Sequence, residues 1–141
     1  MADPFNLNRF VTAQDDAGTY QAAVTELRGG RKVSHWMWFV FPQIAGLGMS
    51  PTSRHYAICS LAEAQAYLAH PVLGERLAEC AGILTAASGR TAEQIFGSLD
   101  AQKLRSSMTL FLRAAPENEL FGQVLGQYFG GQPDPATDEL L

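Results

Sequence analysis

Three stretches of the chain hold residue types that can recognise or transform a small molecule. In the first, Lys32 to Gln43, His35 stands beside Trp36 and Trp38, and Gln43 follows Pro42. An imidazole against large flat indoles is the raw material of a pocket for a planar ring, and a primary amide offers paired donor and acceptor to a base edge. The same residues equally make an aromatic core segment in which His35 bonds to a backbone carbonyl. The second stretch, Pro51-Thr52-Ser53-Arg54-His55-Tyr56, sets hydroxyls and free N–H groups at a helix start beside a bidentate guanidinium. That surface suits an anion, although capping alone accounts for Ser50 or Ser53. In the third, Asp100, Lys103 and Ser107 fall at i, i+3 and i+7 and so share one helix face. They form either a solvated charge pair or one wall of a polar cleft. Ser106, Ser107 and Thr109 are poor helix-interior choices, which points to a selection other than helix stability.

Pooled, these stretches define a ligand-binding set of His35, Trp36, Trp38, Gln43, Tyr56, Lys103 and Ser107 for a small planar anionic ligand, nucleotide-like in chemistry. An enzymatic alternative uses the same pocket for hydrolysis of a nucleotide-related glycosidic or phosphoester bond. In it His35 or His55 is the general acid or base, and Asp100 orients or polarises. A third reading has no ligand: the aromatics are core, the hydroxyls are caps, and the domain is a protein-interaction module. No cofactor motif is present, neither a Walker loop nor a dinucleotide fingerprint. No metal site is expected, because His35, His55 and His70 are 15 to 20 residues apart and lack ligand spacing.

The elements that must position these residues are short helices separated by strong punctuation. Leu7, Phe10 and Val11 give a first amphipathic helix behind an Asn6 cap. Thr19 caps a second, with Tyr20, Ala23, Val24 and Leu27 inward and Gly29-Gly30 at its end. The apolar run of Trp36 to Phe41 reads as a buried helix from a Ser34 cap to a Pro42 stop, with a strand as the alternative. Residues 43–49 form a glycine-bearing loop, and Ser50-Pro51 opens the next helix. Ser60 to Glu63 is a capping box before an inward stripe of Leu61, Ala64 and Leu68. His70-Pro71 restarts a helix bearing Leu77, Cys80, Ala81 and Leu84, and Thr91 to Gly97 is a short turn. Asp100 caps a longer helix with Leu104, Met108, Phe111 and Leu112 inward, and Pro116 separates it from a helix over Leu120 to Phe129. The expected fold is all-α, a compact single-domain bundle of short helices over residues 1–141. Its tail, 132–141, is partly frayed unless Pro135 and Leu140-Leu141 dock a final turn.

Composition narrows the function classes. With 141 residues, 47% of them hydrophobic, and a net charge of −4, the chain can bury one core and is not globally disordered. The acidic balance excludes general nucleic-acid binding, and no apolar run is long enough to span a membrane. Residues Met1 to Phe10 lack a signal core, so the expected location is cytoplasmic, with an unknown protein partner at most. Cys59 and Cys80 are expected as buried free thiols.

Three segments carry a family resemblance: Leu7-Asn8-Arg9-Phe10-Val11 with Ala13-Gln14, His35 through Gln43 with Gly46-Leu47-Gly48, and Asp100 through Phe111. Together they resemble a bacterial family known as domain of unknown function 1810, some members of which carry the label calpastatin. The resemblance spans nearly the whole chain and implies a mainly helical single domain with no established activity. An animal-type calpain inhibitor is a long disordered chain, which this composition is not. A second, six-position likeness lies in Pro51-Thr52-Ser53, His55 and Tyr56. It is similar to the Thr-Ser-Glu-His-Tyr signature of helical N-glycosidases acting on ADP-ribose-type or riboflavin-precursor compounds. Arg54 stands where that signature has its catalytic glutamate, and a guanidinium cannot serve as the carboxylate such chemistry needs.

Overall fold

The computed structural model describes residues 3–141, so Met1 and Ala2 of the expected domain lie outside the described residues. Helix α1 (Asn8–Asp15) begins where the Asp3 carboxylate accepts from the Leu7 and Asn8 N–H groups at 2.8 and 3.0 Å. Asp3, not Asn6, satisfies the orphan donors; Asn6 itself sits at φ 52° in the turn between them. The chain reverses through a 3-10 turn, Asp16–Gly18, into α2 (Thr19–Arg28). Gly18, at φ 70°, occupies the cap position, and the Thr19 hydroxyl bonds back to the Asp16 carbonyl instead of capping. Tyr20, Ala23, Val24 and Leu27 are buried, as their spacing requires. The helix closes through Gly30 at φ 76°.

The apolar run gives only one helical turn, α3 (Met37–Val40). Ser34 does not cap it. Its N–H and hydroxyl both bond to the Glu26 carboxylate, as do the Val33 N–H and the Trp36 indole N–H. Four donors on one carboxylate hold residues 33–36 out of helical geometry, so the helix cannot start before Trp36. A short parallel bridge, Ile44 to Ile58, then ties the 43–49 loop to the segment after α4 (Pro51–His55), whose Ser50 cap accepts from the Ser53 N–H.

In α5 (Leu61–Ala69) the buried face is Glu63, Ala64 and Tyr67, while Leu61 is exposed. The stripe is rotated because the Glu63 carboxylate is taken inward by Arg9 at 2.8 Å and by the Cys59 N–H. Ser60 caps the Glu63 N–H as expected, but the Glu63 carboxylate goes to Arg9 and the Cys59 N–H, so the expected capping box forms only by half. Helix α6 (Leu73–Ala86) starts on His70, whose Nδ1 accepts from the Val72 and Leu73 N–H groups. Its Gly74 lies so close to α5 that an added Cβ would sit 2.1 Å from the Leu68 carbonyl oxygen. Helix α7 (Ala92–Phe96) carries a complete capping box between Thr91 and Gln94.

Helix α8 (Ser98–Ala114) is the centre of the bundle, packed by α5, α7, α9 (Glu119–Phe129) and α10 (Pro135–Leu140). Leu104, Met108, Phe111 and Phe121 are almost fully enclosed. Asp100 is not its cap: the helix begins two residues earlier and the carboxylate turns to lysines. The tail expected to fray is instead pinned to α8. Asp134, only 4% exposed, accepts from the Ser106 hydroxyl, the Thr137 hydroxyl and N–H, and the Gln102 amide, while its own N–H bonds to Thr109. Arg105 adds bonds to the Gln132 and Pro133 carbonyls, and Arg113 a bidentate pair with Asp138. The architecture is an all-α single domain. No helix among the described residues is long and apolar enough to cross a membrane.

Candidate functional site

Two cavities lie on either side of Trp38 and share Trp38, Gln43, Leu47 and Gly48 as walls. The one toward α4, of about 180 Å³, adds Ser53, Arg54, Tyr56 and Cys59. The one toward α8, of about 310 Å³, adds Leu99, Lys103, Ser106 and Asp134. Position follows from local structure: the single turn of α3 aims Trp38 away from the core, and the Ile44–Ile58 bridge holds loop and α4 around it. Gly48 is needed there, because a Cβ would lie 2.6 Å from the Ser53 hydroxyl oxygen. Tyr56 leans on Phe10 and Phe39, with centroids 5.9 and 5.3 Å away, which fixes its ring in the cavity wall. The Gln43 Nε2 is enclosed and meets no acceptor. A buried donor left unpaired costs about 1–3 kcal/mol.

Of the seven expected binding residues, Trp38, Gln43 and Tyr56 come together around the smaller cavity, and Trp38, Gln43 and Lys103 around the larger. Trp36 is a core residue, fully buried against Phe41 and Phe96, with its indole N–H on Glu26 at 2.9 Å. Its ring is unavailable to a ligand. His35 is exposed on the surface next to it and lines neither cavity. Ser107 is wholly buried in α8, its hydroxyl without a partner, and also lines neither cavity. Lys103 reaches over the Trp38 ring at 4.3 Å and donates to Asp100 at 3.0 Å. Asp100 takes Lys32 on its other oxygen at 2.9 Å, and Lys32 in turn lies 5.2 Å from the Trp36 ring centroid. Burial opposes ionisation of Asp100, but the two lysines hold its carboxyl below the usual carboxylate range. The charge of Lys103 is therefore largely spent inside the protein.

The residues of the enzymatic alternative are not brought together. His35 is on the surface, Asp100 is locked between lysines, and His55 is exposed with its ring edge-on to Tyr56 at 4.6 Å. Among the described residues no group of three or more His, Cys, Asp or Glu side chains is placed to hold a metal ion. Cys59 is exposed rather than buried, because it follows the bridge on the rim of the smaller cavity. Cys80 is buried as expected, and burial pushes its thiol up to about 12.

Sequence reasoning places Arg54 in an anion-suited stretch but leaves it out of the pooled binding set, and it misses Asp134 altogether. Arg54 was visible as a bidentate donor; Asp134 left no local signal except its position as the cap of a Pro-initiated helix. The hydroxyl density of α8 resolves in part: Ser106 and Thr109 serve the Asp134 clamp, and the Thr109 hydroxyl also returns to the Arg105 carbonyl.

The family model described as "Protein of unknown function (DUF1810)" matches residues 4–141. The chain is also similar to the conserved hypothetical protein Rv1873 from Mycobacterium tuberculosis, solved by crystallography at 1.38 Å. The two are 55% identical, with a TM-score of 0.95 over 99% of this chain and 98% of that one. No curated protein matches the chain.

Proposed function

We propose that this chain, which belongs to the DUF1810 family of proteins of unknown function, is a cytoplasmic binding domain for a small ligand with a single planar ring. The observation that supports this reading is a cavity walled by Trp38, Tyr56 and Gln43, whose enclosed Nε2 has no partner among the described residues. Volume sets the ligand's size. A cavity of roughly 150 Å³ lined by apolar side chains holds benzene. The 180 Å³ here accepts one heteroaromatic ring, not a purine with its sugar or a flavin. Ring stacking on the indole and one hydrogen bond from the amide would fix its orientation. A nucleotide-like ligand therefore puts only its ring inside.

The test is a thermal-shift panel of single-ring heterocycles (uracil, cytosine, nicotinamide), double-ring purines and flavin precursors. Single-ring compounds are expected to raise the melting temperature by several degrees at about 100 times their dissociation constant, where stabilisation is about 2.7 kcal/mol. Trp38→Ala and Tyr56→Ala should abolish the shift while remaining folded. Absence of any shift, or an equal shift in both variants, overturns the reading.

A second reading, a protein-interaction module, is favoured by one observation: Val33, Met49 and Leu99 are 71%, 74% and 80% exposed. Concentration-dependent light scattering tests it; a monomer at all concentrations, with no loss on Leu99→Ser, counts against self-association.

A further inference from the structure

The smaller cavity adjoins a second, wider depression of about 440 Å³, and the two share Arg54, Ala57 and Cys59 as walls. Its remaining wall comes from Asn6 in the N-terminal segment, Arg9 of α1, His55 of α4 and Glu63 of α5. The charges on this wall do not count equally. Arg9 spends its whole guanidinium within the protein. Nε donates to the His55 carbonyl, Nη1 to those of Phe5 and Asn6, and Nη2 to that of Ala57 and to Glu63. Those bonds occupy four backbone carbonyls of the depression and neutralise its one carboxylate, which is 2% exposed. Arg54 enters none of the ion pairs formed among the described residues, and it lies at the junction of the two cavities. What remains free on this surface is donor-rich: a guanidinium, the His55 imidazole and the Asn6 amide.

Resting on the ring-binding reading above, we propose that Arg54 and His55 seat a phosphate arm carried by that ring. The natural ligand is then a single-ring heterocycle with a phosphate, of the pyrimidine nucleoside monophosphate class. Asp100 already compensates Lys103, whereas Arg54 forms no ion pair among the described residues. The planar fork of a guanidinium matches phosphate oxygens bidentately. The depression is broad and open enough for a tetrahedral group with its sugar, which the ring cavity is not. The two cysteines supply a built-in reporter, since Cys59 lies on the shared rim and Cys80 is buried in the core.

The experiment measures the calorimetric dissociation constants of uridine and cytidine against their 5′-monophosphates, in the wild type and in Arg54→Ala. The alkylation rate of Cys59 is followed in parallel, with Cys80 as internal control. One charge-assisted contact predicts a nucleotide-over-nucleoside preference of roughly tenfold or more, weakening as salt rises. In Arg54→Ala that ratio should fall close to one, with Arg54→Lys intermediate, and the monophosphate should slow Cys59 alkylation in the wild type. A nucleoside that binds as tightly as its monophosphate, or a preference that survives Arg54→Ala, overturns the phosphate seat and leaves the ring cavity standing. Binding by other ring compounds but by none of these four overturns the ligand class. Failure of every ring compound to bind removes both readings together.

Discussion

Trp36 and Trp38 are two residues apart, and each lies under a lysine, yet they sit in opposite physical situations. Trp36 is enclosed by Phe41 and Phe96, its indole N–H satisfied by Glu26, its lysine held by Asp100 and the Ser34 carbonyl. Trp38 is half-buried between two cavities, beside an amide donor that meets nothing. One side of this segment has every polar group answered; the other has been left open at modest cost. A buried donor without a partner is a group that an incoming acceptor could satisfy. The difference separates a closed core position from an open cavity wall within a single turn of chain.

The sharpest way to break that division is to remove each indole in turn. Trp36→Ala should cost about 3–5 kcal/mol, because it opens a cavity in a fully packed core and strips one donor from Glu26. Trp38→Ala should cost less than about half of that, since much of its ring already borders open space. Calorimetric melting of both variants checks the order; equal losses would mean that Trp38 is as structural as its neighbour.

Glu26 carries the next effect and gives it a pH signature. Burial opposes its ionisation, but the donors from Ser34, Val33 and Trp36 outweigh that and bring the carboxyl down to about 2 from an ordinary 4.5. A folded value below the unfolded one stabilises the fold above about pH 4.5, and that contribution is lost as pH falls toward 2. Glu26→Gln should therefore destabilise at neutral pH by about 1–3 kcal/mol and flatten the acid limb of stability against pH. Urea titrations from pH 7 to about 2.5 would show it. An unchanged acid slope would place the ordering of residues 33–36 elsewhere.

This comparison also explains what could be read from residue order. Caps at Ser50 and Ser60, the inward face of α2 and the glycine stop at Gly30 are local devices, and all are present. The helix expected over 34–42 is shortened to Met37–Val40 because Glu26, eight or more residues away, holds Ser34 and Trp36, and no periodicity records those bonds. The same holds for the tail, where Asp134 finds Ser106 across 28 residues, and for Leu61, displaced by a long-range Arg9–Glu63 pair. That Trp38, Gln43 and Tyr56 belong together is visible in their residue types, and they do line one cavity. Which tryptophan faces the core is not visible, since a one-turn helix between two loops has no repeat to establish a face.

The clamp on α10 extends the comparison to the other side of the larger cavity, where polar groups are satisfied again. Ser106→Ala removes one of the bonds to the Asp134 carboxylate and should cost about 1 kcal/mol. Hydrogen exchange should show the loss concentrated in residues 135–140, because little apolar surface holds that helix down. Uniform acceleration across α8 and α9 would instead make the clamp part of the global core.

The smallest effect is the most discriminating. Lys103 touches the Trp38 ring, so its position beside the site invites a binding role. Its charge, however, faces Asp100 at 3.0 Å in a pair that is only about three-quarters buried on each side, with relative exposures of 25% and 20%. Such a pair with a cation–π contact contributes about 1 kcal/mol or less to stability. Lys103→Ala should lower stability by that amount and change the affinity for a phosphate-bearing ring by less than about threefold, well short of the loss in Arg54→Ala. Should the Lys103 variant lose more affinity than the Arg54 variant, the anion lies on the α8 side of Trp38. The larger cavity would then be the site, and the smaller one its back wall.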